Sequence, residues 1–237
     1  MPKLQHKNAY FYNPHQDKPD RPLLVFLPGL DETGKDLMTR QTASLSASFD
    51  LRCFVIPPQD LDDWELLAES VLALTEAELD SNVKRSVYLC GESFGGCLAL
   101  KVLLQAPQLF EKIILVNPAS SFHRLLWLNL GSLLFPLTPD FFYNHSAWLT
   151  LPFLAPSDRL LPQARQDLAN TIKLTPKQTA QQRLAMMREF KIDETKLKQI
   201  NQATVVTLPH SGHACLVEAD INLDRIMQAH NFQPRSV

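Results

Sequence analysis

The segment Gly91-Glu92-Ser93-Phe94-Gly95 sets a serine midway between two glycines. A serine hydroxyl is a weak nucleophile. It needs a base to take its proton and N–H donors to hold the oxyanion that forms on an attacked carbonyl. The G-x-S-x-G spacing serves placement: residues without Cβ let a strand turn sharply into a helix, which pushes Oγ out at the top of a sheet. A helix starting near Phe94 would also aim its first N–H groups at the site and favour negative charge there. An ordinary glycine turn would read the same in isolation. The flanks favour the elbow, because the apolar run Ser86–Cys90 precedes it and Cys97-Leu98-Ala99-Leu100 follows.

Three further groups would complete the chemistry. The N–H of Phe94 is the first expected oxyanion donor. The second is expected from Leu27-Pro28-Gly29-Leu30-Asp31-Glu32-Thr33-Gly34, with Leu30 N–H as the candidate, although this loop also fits a plain turn. The base is expected late in the chain, in Leu208-Pro209-His210-Ser211-Gly212-His213-Ala214. His213 is preferred over His210, because Gly212 suits a loop that turns the imidazole back toward Ser93.

The elements that must position these residues alternate. Strands are expected at Ala9–Tyr12, Leu23–Leu27, Leu51–Ile56, Val87–Cys90, Ile113–Val116 and Val205–Leu208. Continuous apolar runs between Pro and Gly breakers fit strands buried on both faces. Helices are expected at Asp36–Ser48, Asp62–Leu79, Cys97–Gln105 and Glu218–Gln228, with Gly91–Gly96 as a turn. This order predicts the α/β class and a doubly wound, mostly parallel sheet. From Ser120 to Phe190 the sequence becomes helical and Pro-punctuated, with Trp127, Phe135, Phe141, Phe142, Tyr143, Trp148 and Phe153. Extra core helices would account for it. A cap inserted at about 120–190, over an apolar crevice, accounts for it better. The chain is thus expected to be one domain, 1–237, with a cap.

Composition narrows the function classes. The 237 residues carry 45% hydrophobic and 20% charged side chains and a formal net charge of −2, with no basic stripe, so nucleic acid is not an expected partner. Cys53, Cys90, Cys97 and Cys215 form no CxxC pair and no zinc spacing, and read as small buried hydrophobes. No metal and no cofactor are expected, since neither G-x-G-x-x-G nor a ligand cluster occurs. The polar Met1–Tyr10 has no apolar signal core, and no run approaches the ~20 apolar residues of a membrane span. The expectation is a soluble cytoplasmic protein. Oligomeric state is left open.

With these pieces assembled, the sequence resembles the α/β-hydrolase superfamily. Within it the sequence looks like the hydrolase domain of the phytyl ester synthase/diacylglycerol acyltransferase family. The matching pieces are Leu27–Gly34, Gly91–Gly96 and Ser211–Glu218, with Leu151–Leu154 and Arg188–Phe190 in the cap. Ser before His is also the chain order of that superfamily. The resemblance implies acyl transfer or ester hydrolysis on lipid-like esters or thioesters, with transient contact at a membrane surface allowed. One part of the pattern is missing. The acid that orients the histidine should end a strand between cap and His213. Lys196–Gln202 instead runs almost directly into the last strand, where a strand, loop and helix would need ~30 residues. Asp140, Asp158, Asp167 and Asp193 are the remaining candidates. Asp158, in Ala155–Pro162, is best by local sequence, although Pro152 argues against a central strand before it and a helix N-cap would also explain it. Two functions follow: a serine esterase or acyltransferase working through an acyl-enzyme at Ser93, or a catalytically impaired binding protein with this fold.

Overall fold

The computed structural model describes residues 9–29, 41–79, 85–124, 126–143, 166, 170, 175–198 and 222–229. Five strands form one sheet: β1 (Tyr10–Tyr12), β2 (Leu23–Leu27), β3 (Asp50–Val55), β4 (Val87–Glu92) and β5 (Lys112–Val116), in the order β1-β3-β2-β4-β5. β1 runs antiparallel to β3, and the other pairings are parallel. Every residue of β2, β3 and β4 is buried, the charged Asp50, Arg52 and Glu92 included. β5 is only partly buried.

Side chains alternate between two helical layers. Leu23, Val25, Leu27 and Leu89 face α1 (Trp64–Ala77) and α2 (Phe94–Gln105). Leu24, Phe26, Tyr88 and Cys90 face Leu45 and Phe49 together with Leu223 and Met227 of a late helix, Leu223–Ala229. The result is a helix–sheet–helix sandwich.

Asp63 ends the loop before α1 and caps it, accepting from Leu66 N–H at 3.0 Å. The helix therefore starts at Trp64, two residues later than Asp62. Trp64, Leu67, Ala68, Val71 and Thr75 form its buried face. The largest departure from the sequence reading lies at the elbow. Gly91 and Glu92 are not part of the turn but extend β4, because Gly91 pairs with Leu27 on one side and Leu115 on the other. The helix begins at Phe94 rather than Cys97. The turn is thereby reduced to Ser93.

At the opposite end of the strands, Asp50 is fully buried. Arg85 hydrogen-bonds it, and Arg52 Nη1 lies 2.9 Å away. Arg52 Nη2 also meets Asp17 at 2.9 Å and Glu78 at 2.8 Å. Burial raises the Asp50 pKa, but the two guanidiniums outweigh it and hold the carboxyl below its ordinary value.

Within the expected cap, a 3-10 turn (Ala119–Arg124) leads into α3 (Leu126–Leu134), a second 3-10 turn (Phe135–Leu137) and, later, α4 (Lys177–Arg188), with α5 (Glu194–Lys198) beyond it. The expected helices at 36–48 and 218–228 are described at residues 41–45 and 223–229. The expected strand at 205–208 lies outside the described residues.

Candidate active site

Ser93 adopts φ 52° and ψ −110°, a left-handed conformation that L-residues rarely take. Its surroundings enforce it. Ser93 N–H donates to Val116 O at 3.0 Å, at the end of β5, and Ala119 N–H donates back to Ser93 O at 3.0 Å. The peptide is gripped from both sides by the chain leaving β5, where Asn117 also takes positive φ (43°).

The glycines answer to close approach. A Cβ on Gly91 would stand 2.3 Å from Gly95 O, and one on Gly95 only 2.1 Å from Leu27 O and 2.4 Å from Pro28 O. One on Gly96 would stand 2.8 Å from Pro118 Cβ. Strand, helix and the exit of β2 thus meet with no space for side chains. The start of the loop that carries Leu30 is pressed against the elbow.

Ser93 is half-buried while Glu92, Phe94 and Gly95 are buried, so the serine is the accessible residue of the turn. Gly96 and Cys97 N–H groups bend back onto Ser93 O at 3.1 and 3.3 Å. Those of Phe94 and Gly95 precede them, in the first turn, where a helix supplies no acceptor of its own.

The Phe94 ring is fully buried. It stacks on Trp64, with centroids 4.6 Å apart and planes at 26°, and the Arg183 guanidinium lies 5.5 Å from its centroid. Trp64 in turn meets the edge of Phe190 at 5.4 Å and donates Nε1–H to Met186 O at 3.2 Å. In the sequence Trp64 is one apolar position of a helix face, and nothing singles out Arg183 from Lys177 and Arg188 in the same polar helix.

Cys53, Cys90 and Cys97 are buried free thiols, and burial pushes the Cys97 thiol up to about 12 despite a hydrogen bond with the Ala119 backbone. Cys90, in β4, and Cys97, in α2, flank the serine, and a thiol held neutral as at Cys97 is a poor nucleophile. Among the candidate acids, Asp140 pairs with Lys177 at 3.0 Å and is largely exposed. Asp193 Oδ1 caps α5, accepting from Thr195 and Lys196 N–H at 3.0 and 3.1 Å. Leu30, His213, His210, Asp158, Asp167 and Cys215 lie outside the described residues. Among the described residues, no group of three or more His, Cys, Asp or Glu could hold a metal ion.

The sheet order, the flanking layers and the strand–Ser–helix elbow are those of an α/β-hydrolase fold, and solved structures agree. The chain superposes on MGS-M2, an α/β-hydrolase enzyme from a deep-sea metagenome library, with a TM-score of 0.74 at 13% identity, covering 99% of this chain and 98% of that one. Against MenH from S. aureus the TM-score is 0.67 at 15% identity, covering 94% and 97%. Such identities establish the fold alone.

In sequence the chain is similar to Phytyl ester synthase 1, chloroplastic, of Arabidopsis thaliana, 42% identical over 105 residues. It is also similar to Phytyl ester synthase 2, chloroplastic, of the same plant, 36% identical over 113 residues. These matches take in 44% and 48% of this chain but only 15% and 16% of those longer relatives. No family model matches the chain.

Proposed function

We propose that this chain is a serine esterase or acyltransferase that acts on lipid-like esters or thioesters through an acyl-enzyme at Ser93. The observation that carries the reading is the Ser93 backbone, held at positive φ between β4 and α2 by Val116 and Ala119. An elbow of this kind has a known use, to lift a hydroxyl above a sheet beside helix N–H groups. The similarity to two phytyl ester synthases supports the ester chemistry.

In this reading Ser93 Oγ attacks the ester carbonyl as His213 takes its proton. The oxyanion is held by the N–H groups of Phe94 and Leu30. Collapse expels the alcohol or thiol, which receives the proton from His213, and leaves an acyl-serine. Water or an alcohol then attacks that ester with His213 again as base, and Ser93 leaves with the returned proton. Transient contact with a lipid surface belongs to the same reading. It is supported by the exposed leucines of α3 and by the absence of any charged residue from 125 to 139.

The second reading is an impaired homologue that binds acyl groups without turnover. It is favoured by the positions of Asp140 and Asp193, both engaged elsewhere, and by the sequence expectation that no acid-bearing strand separates the cap from His213. One experiment separates the two. A fluorophosphonate probe should label the wild-type protein at Ser93, and p-nitrophenyl ester hydrolysis should vanish in Ser93→Ala. Absence of labelling would sink the first reading; hydrolysis lost with the serine would sink the second.

A further inference from the structure

Arg183 is the largest fully buried side chain of the described residues, and it belongs to a helix of the cap region. Nη2 meets Asp60 Oδ1 at 2.8 Å and Asp60 O at 3.0 Å. Nη1 donates to Asp62 O at 2.7 Å and lies 3.4 Å from Met186 Sδ. A buried ion pair is a weak source of stability, since desolvation offsets much of the attraction and apolar residues of similar volume often do as well. Tethering α4 alone does not call for one: Thr179 Oγ1 on Pro58 O (2.6 Å) and Trp64 on Met186 O already tie it to the loop and to α1.

A guanidinium offers something an apolar residue does not, a planar cation whose orientation is fixed by its own acceptors. Here its orientation is set by Asp60 and Asp62, and it lies over the ring of Phe94, which also stacks on Trp64. In the proposed reaction the Phe94 N–H is one of the two oxyanion donors. Cation–π and stacking contacts hold a ring most firmly where water is excluded, as here. We propose that Arg183 is a positioning residue for the oxyanion hole: it clamps the Phe94 ring against Trp64 and so fixes the Phe94 N–H beside Ser93.

This role rests on Ser93 being the nucleophile. It makes the cap region part of the catalytic geometry as well as a cover for substrate.

The test uses Arg183→Lys, which keeps the charge near Asp60 but loses the planar contact. Hydrolysis of p-nitrophenyl acetate and decanoate is compared with labelling at Ser93. Misplacing an oxyanion donor should lower kcat for both esters by about tenfold to a hundredfold, with KM changed less than about twofold. In a Phe94→Leu background the Arg183→Lys effect should shrink to under about twofold, because the two act as one unit. If Arg183→Lys does not fold, Asp60→Asn loosens the same guanidinium and should lower kcat in the same pattern.

Wild-type kcat in the variant overturns the proposal. So does a loss confined to the long-chain ester or to KM, which marks a mere tether of the cap. Additive effects in the Phe94→Leu background overturn it as well. In each of these cases wild-type labelling leaves Ser93 standing. Failure of the wild type to label removes the nucleophile, and the role of Arg183 with it.

Discussion

A serine at φ 52° costs about 1–3 kcal/mol relative to a relaxed backbone. The bonds from Val116 and Ala119 and the glycine contacts around the turn offset that cost. Gly95 is the most exacting of these, with two backbone oxygens inside 2.5 Å of where its Cβ would stand. Gly95→Ala should destabilise the protein by about 1–3 kcal/mol, the usual cost of overpacking. It should also slow fluorophosphonate labelling at Ser93 by a larger factor than Gly131→Ala, whose added Cβ meets nothing within 4 Å. Urea midpoints and labelling rates check both, and equal labelling of the two variants would refute the steric account. Ser93, Phe94 and the glycines were legible in the sequence because their spacing is local. The grip of β5 on Ser93 and the guanidinium over Phe94 were not, since both join residues far apart in the chain and no local pattern records them.

Elements were legible where burial was complete. The breakers around Leu23–Leu27 gave a strand whose observed limits are the same. At β4 a glycine read as turn proved to be strand, because pairing on both edges decides the state of Gly91 and residue preference does not. α3 runs against the usual amphipathic sense. Ser132 is buried, with Oγ donating to Asn129 O at 2.7 Å, while Leu126, Leu130, Leu133 and Leu134 are exposed. Spacings of three and four place such residues on neighbouring faces. An uncharged leucine face turned outward suits a lipid surface. The wild-type protein should therefore co-sediment with phosphatidylcholine vesicles, and Leu126→Ser/Leu130→Ser should bind them less without losing its thermal midpoint. Equal binding by both proteins would remove the lipid contact from the proposed function. No described helix is long and apolar enough to cross a membrane.

For the whole molecule, the two ends of the sheet have different duties. The end with Ser93 holds strain, and the end with Asp50 holds charge. The Asp50 carboxyl is pulled below 3.8 in the folded state. Its contribution to stability is therefore complete above that value and is lost as pH falls through the lower folded value. Asp62 and Asp224 act in the opposite sense. Burial raises both, with the neighbouring Asp60 charge adding to the rise at Asp62, so their protonation favours the folded chain in acid. Asp50→Asn should lower the urea midpoint at neutral pH, and the gap to wild type should begin to narrow below about pH 4 and close as the folded carboxyl is protonated. A gap that stays constant through acid would place the role of Asp50 in packing.

The grip on Ser93 has a consequence in time. The amide that sets its φ is bonded to Val116, and its carbonyl to Ala119. Val116 ends β5 and Ala119 follows it, both beyond the whole of α2. A nascent chain that has only just exposed Gly91–Gly95 holds the motif but not the conformation. In the proposed reaction its serine would stay as unreactive as any other hydroxyl until β5 docks on β4. Under the proposed function the nucleophile is therefore set only once β5 has docked on β4, which would keep the unfinished chain from acylating itself on whatever ester it first meets.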